Sequence, residues 1–259
     1  MGERDGFAPG TFCWVDLSTS DQEDAKRFYS ALLGWEAEDL PMDDGATYSM
    51  QRRDGKLVAA IAPQPPQQRI AGVPPLWNSY VWVQSAEDSA ARAAKLGGTV
   101  HAGPFDVRGA GRMAVLQDPQ GAFLMLWEAG EHRGAQLVNA PGALVWNELS
   151  TSDSEGACAF YGDLFGWEFD APLEGSHEPY LVIRNGGSGN GGIRGLQGSA
   201  PPNWLAYFGV EDLDAARVQV AELGGGELAG PIDIGIARMA VVRDPQGAVF
   251  ALYAGTLEP

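Results

Sequence analysis

The chain has 259 residues, 45% of them hydrophobic and 20% charged, a balance that excludes a disordered polypeptide and gives room for two domains of ordinary size. Seventeen Lys and Arg against 34 Asp and Glu give a formal charge of −17, which repels nucleic acid and anionic membranes. That field either serves solubility alone or draws in cationic small molecules. Two cysteines, Cys13 and Cys158, are too few for a disulfide framework. The opening MGERDGFAPG lacks an apolar signal core, and no apolar run reaches the length of a membrane span, so the expectation is a cytoplasmic protein.

Residues 11–21, TFCWVDLSTSD, read as a strand entering a helix. In STSDQEDAKRFYSALLGW, Ala25, Phe28, Tyr29, Leu32 and Leu33 fall at i, i+3, i+4, i+7 and i+8, one apolar helical stripe. Ser20 with Glu23 fits a capping box, and Gly34 fits a helix stop. A strand KLVAAIAP precedes the Pro-rich connector PQPPQQRIAGVPP. Next, WNSYVWVQSAEDSAARAAKLGG reads as a strand feeding an Ala-rich helix that a Gly pair ends. GRMAVLQDPQGAFLMLWE reads as two antiparallel strands about a DPQG turn.

After the connector AGEHRGAQLVNAPG the same order returns, starting with ALVWNELSTSD. Trp14 and Trp146 are 132 residues apart, as are Phe28 and Phe160, so the registers agree. Ser152 and Glu155 repeat the cap, Ala157, Phe160, Tyr161, Leu164 and Phe165 the stripe, and Gly166 the stop. WLAYFGVEDLDAARVQVAELGG and IARMAVVRDPQGAVFALYA repeat the second part, with GSAPPN as connector. NGGSGNGG, residues 185–192, lacks the Lys-Ser/Thr ending of a phosphate loop and reads as a flexible hairpin or lid.

Each half is itself a doublet, giving four βαβββ modules at about 10–66, 75–130, 142–200 and 203–256. The domain boundaries that follow are 1–130, a linker 131–141, and 142–259. One module cannot bury both faces of its sheet. The predicted fold is α+β, with modules paired into two cupped, incompletely closed sheets and helices outside. Which modules pair is left open.

The helix signature AxxFYxxxLGW and the DPxG hairpin resemble those of the vicinal oxygen chelate superfamily, which includes glyoxalase I, extradiol dioxygenases and bleomycin-resistance proteins. The resemblance covers nearly the whole chain. It implies a cup in which His, Gln or Glu residues from separate strands hold a divalent metal. Aligned on those motifs, the ligand positions are Trp14 and Trp146 on the first strands, Asn78 and Leu205 on the second, and Met125 and Ala251 on the last. The remaining position is Ala59 or Ala60 in one half and Arg194 or Gly195 in the other. These are not ligands for such a metal, so the expectation is no metal and no cofactor. His101, His132 and His177 are expected in ordinary surface or loop roles.

Strand alternation then fills the cups. With Trp14 inward, Asp16 and Ser18 are inward too, while Cys13, Val15 and Leu17 pack under the helix. Asn78, Tyr80, Trp82, Phe123, Met125 and Trp127 join the first cup. Trp146, Glu148, Tyr207 and Tyr253 face the second, which is expected to be roomier through Gly209 and Ala251. Asp16 and Glu148 either pair structurally with Arg112 and Arg238 or serve as acid–base groups. The expected function is metal-free binding of an aromatic or cationic small molecule by a monomer or homodimer that takes no nucleic acid and no membrane. Two alternatives stand beside it: glyoxalase- or dioxygenase-type catalysis, and a metal-independent isomerase or lyase using Asp16 or Glu148. Whether any reaction is catalysed is left open.

Overall fold

A computed structural model of the chain describes residues 2–42, 45–170, 180–198 and 200–257. The first half runs β1 (Phe12–Thr19), α1 (Gln22–Leu33), β2 (Glu36–Pro41), β3 (Thr47–Arg53), β4 (Lys56–Pro63), a short α2 (Pro66–Ile70), β5 (Leu76–Trp82), α3 (Ala86–Lys95), β6 (Thr99–Val107), β7 (Gly111–Gln117) and β8 (Phe123–Ala129). The second runs β9 (Leu144–Thr151), α4 (Ser154–Phe165), β10 (Glu168–Phe169), β11 (Leu181–Asn185), β12 (Ser188–Gly195), β13 (Asn203–Gly209), α5 (Leu213–Glu222), β14 (Gly226–Asp233), β15 (Ala237–Arg243) and β16 (Val249–Gly255). The strands make two eight-stranded mixed sheets, ordered β2-β3-β4-β1-β5-β8-β7-β6 and β10-β11-β12-β9-β13-β16-β15-β14. Neither closes into a barrel. Modules pair within a half, because β1 pairs antiparallel with β5 and β9 with β13.

The helix stripes are buried as the periodicity predicts, with Ala25, Phe28, Tyr29, Leu32 and Leu33 inward on α1 and Ala157, Phe160, Tyr161 and Leu164 on α4. Gly34 and Gly166 end these helices in the left-handed conformation. The start differs by one residue: Asp21 and Asp153 cap the helices, accepting from the Asp24 and Gly156 amides. A carboxylate at the cap position also answers the helix dipole, which Ser20 and Ser152 cannot do. NGGSGNGG forms the β11–β12 hairpin, and DPQG joins antiparallel strands in both halves. No described helix is long and apolar enough to cross a membrane.

The helices lie on the convex faces, and the two convex faces pack against each other. One core holds Phe28, Tyr29, Trp35 and Trp77 of the first half together with Phe208, Val220 and Phe250 of the second. A mirror core holds Val81, Leu116 and Leu124 with Phe160, Tyr161 and Trp204. Polar motif residues fasten the faces reciprocally. Tyr29 Oη donates to Asp244 Oδ2 at 3.1 Å, and Tyr161 Oη to Asp118 Oδ2 at 2.9 Å. Each Tyr oxygen also accepts an indole N–H, from Trp77 and Trp204, both at 3.1 Å. Asp118 Oδ1 holds its own turn, accepting from the amides of Gln120, Gly121 and Ala122 at 3.0, 2.7 and 2.8 Å. The Trp of each Gly-Trp pair reaches the other half's entry: Trp35 Nε1 donates to the Gly142 carbonyl at 2.6 Å and Trp167 Nε1 to the Gly10 carbonyl at 2.7 Å. Gly10 and Gly142 have φ of 83° and 80°, a conformation that strains any side chain, and a Cβ at Gly142 would also collide with the Leu33 carbonyl at the end of the opposite half's helix.

The signature AxxFYxxxLGW…DPQG is therefore the fastening between halves. Removing either tyrosine hydroxyl strands a buried carboxylate oxygen and a buried indole N–H, at about 1–3 kcal/mol. Tyr29→Phe and Tyr161→Phe should each lower stability in urea by that amount. Because the cores are shared, wild type should unfold in one transition. Two separate transitions, or no loss in both variants, would contradict the fastening.

Candidate functional site

With the convex faces committed, the concave faces remain. In the first cup, Asp16 of β1 is 7% exposed and stands opposite Asn78 of β5 in the antiparallel register. Its Oδ2 accepts from Tyr80 Oη at 2.7 Å and Tyr48 Oη at 3.1 Å, and its Oδ1 accepts from Asn78 Nδ2 at 2.8 Å. Trp14 Nε1 donates to Tyr48 Oη at 3.2 Å, which ties the indole to the same cluster. Burial pushes the Asp16 carboxyl above its ordinary value, and the three donors oppose this. Met125 and Trp127 of β8 complete the cluster.

The second cup repeats the plan with different parts. Glu148 of β9 is 4% exposed, and Trp146 Nε1 donates to Tyr180 Oη at 2.8 Å. Tyr48 and Tyr180 are 132 residues apart, the spacing of the repeat. Leu205 stands opposite Glu148 where Asn78 stands opposite Asp16, and it has no donor to offer. Arg194 of β12 supplies the counter-charge instead, with Nη1 3.7 Å from Glu148 Oε1. Burial pushes the Glu148 carboxyl up, while the Arg194 charge and the nearby Tyr207 and Tyr180 hydroxyls pull it down. Tyr207 is 2% exposed, and its hydroxyl lies close enough to Glu148 to lower that carboxyl but is not aligned for a good hydrogen bond to it. Its counterpart Tyr80 is bonded to Asp16. A side chain on Gly192 would collide with the Tyr180 hydroxyl, so this glycine makes the seat for that ring.

The structure brings together Trp14, Asp16, Asn78, Tyr80, Met125 and Trp127 in one cup, and Trp146, Glu148, Tyr207 and Tyr253 in the other. Trp82 packs against the first cluster from its edge, beside Phe7 with ring centroids 6.3 Å apart, while Phe123 lies at the rim, 45% exposed and 4.9 Å from His101. Arg112 and Arg238 do not reach the carboxylates: Arg112 pairs with Glu87 and Asp106, and Arg238 with Asp214, all on the exposed surface. Cys13 does not pack under the helix with Val15 and Leu17. A bulge between Phe12 and Trp14 shifts the alternation and leaves it in the cup cluster. Gly209 does not enlarge the second cup, since Ala140 of the connector fills the space beside it. Tyr48, Tyr180 and Arg194 were missed as carboxylate partners. The repeat spacing shared by the two tyrosines is the signal that marks them.

The largest correction concerns His132. Its imidazole is inserted in the first cup, edge-on to Trp14 at 4.4 Å between centroids and 5.6 Å from Trp127, while its carbonyl accepts from Trp127 Nε1 at 3.0 Å. Ala135 N donates to the Cys13 carbonyl at 2.8 Å, so the connector is stitched over this cup. Burial holds the imidazole down to about 4, and Nε2 has no hydrogen-bond partner. His101 is exposed as expected, and His177 lies outside the described residues.

The residues at the metal-ligand positions do not fit a metal. They are Trp, Asn, Met and Ala in one cup and Trp, Leu, Ala and Gly or Arg in the other. Among the described residues, no group of three or more His, Cys, Asp or Glu converges. The one carboxylate in each cluster among the described residues is spent on hydroxyl, amide or guanidinium partners. Two surface cavities lie elsewhere, one of about 420 Å³ beside Glu3, Lys56 and Gln136 and one of about 200 Å³ between Trp82, Ser85 and Phe165.

Two pH effects follow, with opposite signs. A histidine held neutral in the fold contributes stability that is intact above its unfolded value of about 6.5 and is lost as pH falls toward 4, on the order of 3 kcal/mol in all. His132→Phe should lack that loss, measured as the wild-type minus variant difference in urea stability across pH 7 to 4. A carboxyl raised by burial does the reverse: its cost is absent below about pH 4, grows as pH rises through its folded value, and then stays constant. Glu148→Gln should therefore gain on wild type as pH rises from 4. A flat difference in either series contradicts the assigned burial.

A model of the glyoxalase-like domain matches residues 14–126. CFP32 of Mycobacterium tuberculosis, which carries a provisional glyoxylase name, is 40% identical over 255 residues and covers 97% of both chains. The anthracycline biosynthesis protein DauV of Streptomyces sp. strain C5 is 34% identical, covering 95% of this chain and 94% of its own. Among solved structures, the 2,3-dioxygenase LapB of Pseudomonas sp. KL28 superposes with a TM-score of 0.66 at 13% identity, over 97% of this chain and 95% of its own. The Mn(II)-bound glyoxalase of Novosphingobium aromaticivorans also gives 0.66, at 16% identity, over 98% and 83%. With two full-length relatives, the domain match and the shared two-sheet architecture in agreement, the chain belongs to the glyoxalase-like family of the vicinal oxygen chelate superfamily.

Proposed function

We propose that this protein binds a small, flat organic molecule without a metal, chiefly in its second cup. The observation that carries the reading is the contrast between the cups. In the first, Trp14, Tyr80, Met125 and Trp127 are 2–8% exposed and the chain's own imidazole lies among them. In the second, Trp146 and Tyr253, the counterparts of Trp14 and Trp127, are only partly buried around a similar arrangement of carboxylate and hydroxyls. Aromatic walls with a few convergent polar groups suit a planar ligand. A buried Glu148 weakens the fold at neutral pH, a burden that a binding site justifies. Relatives named for anthracycline biosynthesis, a chemistry of flat fused rings, support the same class. The net charge of −17 favours ligands that carry a positive group.

A second reading has a specific observation behind it. Glu148 is a buried carboxylate with a raised proton affinity beside two phenolic hydroxyls, the arrangement of a general base next to an oxyanion donor. It would suit proton abstraction next to a carbonyl. Deuterium uptake at such a carbon in a bound ligand, lost in Glu148→Gln, would establish it; no uptake removes it.

The binding reading predicts one saturable site per chain in calorimetry against a panel of cationic and neutral fused-ring aromatics, with quenching of tryptophan fluorescence. Trp146→Ala should weaken binding at least tenfold, whereas Trp14→Ala should cost stability and leave affinity within about twofold. No saturable binding, or equal dependence on both tryptophans, would overturn it.

A further inference from the structure

We propose that the ligand of the second cup is a flat aromatic ketone, seated between Trp146 and Tyr253 with its carbonyl oxygen accepting a hydrogen bond from Tyr207. The inference rests on the second cup being the binding site and adds the chemical class and the group that selects it.

Two independent observations lead here. The first is an unmet donor. Tyr207 is 2% exposed on the concave face of β13, and its hydroxyl has no partner of hydrogen-bond geometry, although its counterpart Tyr80 donates to Asp16 at 2.7 Å. A buried hydroxyl costs free energy until something accepts its proton. The carboxylate of Glu148 lies beside it and faces Arg194 at 3.7 Å, and a ligand carbonyl that lines up with the hydroxyl supplies the alignment that Glu148 does not. A phenolic hydroxyl is a better donor than acceptor here, since burial and the Glu148 charge keep its proton on.

The second observation is the occupant of the first cup. There the chain places a flat, neutral heteroaromatic ring, His132, edge-on to Trp14 at 4.4 Å and near Trp127 at 5.6 Å. The repeat carries Trp14 onto Trp146, and the parallel register of β5 with β8 and of β13 with β16 carries Trp127 onto Tyr253. The imidazole thus marks the seat that a ligand's ring takes in the second cup. On the central strand Tyr207 stands opposite Trp146 as Tyr80 stands opposite Trp14.

The test uses a matched pair of probes: fluorenone and fluorene, each carrying the same trimethylammonium-methyl group. The rings are equally flat and differ in one carbonyl oxygen. Titrated into the full-length protein, the fluorenone should bind about tenfold more tightly than the fluorene, the worth of one buried hydrogen bond. Tyr207→Phe should erase that preference by weakening the fluorenone alone, and Trp146→Ala should weaken both probes together. Equal affinity of the two probes for wild type, or a preference that survives Tyr207→Phe, would overturn the ketone assignment and leave the cup as a binding site. Failure of both probes to bind, or indifference of both to Trp146→Ala, would overturn the assignment and the cup reading together. Circular dichroism and urea unfolding of each variant establish that it is folded before it is titrated.

Discussion

A hydrogen bond between a helix tyrosine of one half and a turn aspartate of the other, made twice, orders the rest of this molecule. Asp118 and Asp244 accept backbone amides within their own turns through one oxygen and take Tyr161 or Tyr29 on the other. Each aspartate therefore shapes a β-hairpin and recognises a helix with the same carboxylate. Ser79 and Asn147, 2.6 Å apart and almost wholly buried, add a polar contact between the central strands. The outcome is two curved sheets back to back. Hydrophobic convex faces are consumed, and the concave faces are left uncommitted to the contact between halves.

The concave faces have diverged through a few side chains. Both retain a strand carboxylate and a Trp–Tyr pair, Trp14 with Tyr48 and Trp146 with Tyr180. In the first cup Asn78 completes the satisfaction of Asp16, and the connector folds His132 into the space. In the second, Leu205 removes that donor, Arg194 brings a charge from the other neighbouring strand, and Tyr207 is left without a well-aligned acceptor. Duplication has left one cup more tightly packed around its tryptophan than the other among the described residues. Relatives of the same architecture include dioxygenases and a manganese-bound glyoxalase. In this chain the positions aligned with the family's metal ligands hold indole, aliphatic and thioether groups, the Asn78 amide, and Arg194 or Gly195.

Much of this was legible in the sequence because periodicity encodes it directly. The stripe from Ala25 to Leu33, the glycine stops and the four-module order need only local rules, and the repeat at 132 residues fixed the alignment of the halves. Strand alternation also placed Asp16, Tyr80 and Trp127 on one face. What escaped was non-local. Nothing near His132 in the chain indicates that the connector turns back over β1. One extra residue at Cys13 breaks the alternation in a way only the partner strand reveals. The arginines looked paired with the cup carboxylates because they recur in both halves, but they recur at the exposed sheet surface, where acidic neighbours are closer. Phe-Tyr and Asp-Pro-Gln-Gly were readable as motifs, and their mutual contact across the halves was not.

The central claim is that a family built around metal coordination has here a member whose cups are organised by hydrogen bonds and aromatic rings. Calorimetric titration of the chelator-treated protein with Mn(II), Zn(II), Ni(II) and Fe(II) tests it most directly, with mass-spectrometric metal analysis of the untreated protein alongside. The account predicts no stoichiometric metal in the purified protein and no saturable binding of any of the four at micromolar concentration. One equivalent of metal per chain, lost on Glu148→Gln or Asp16→Asn, would contradict it.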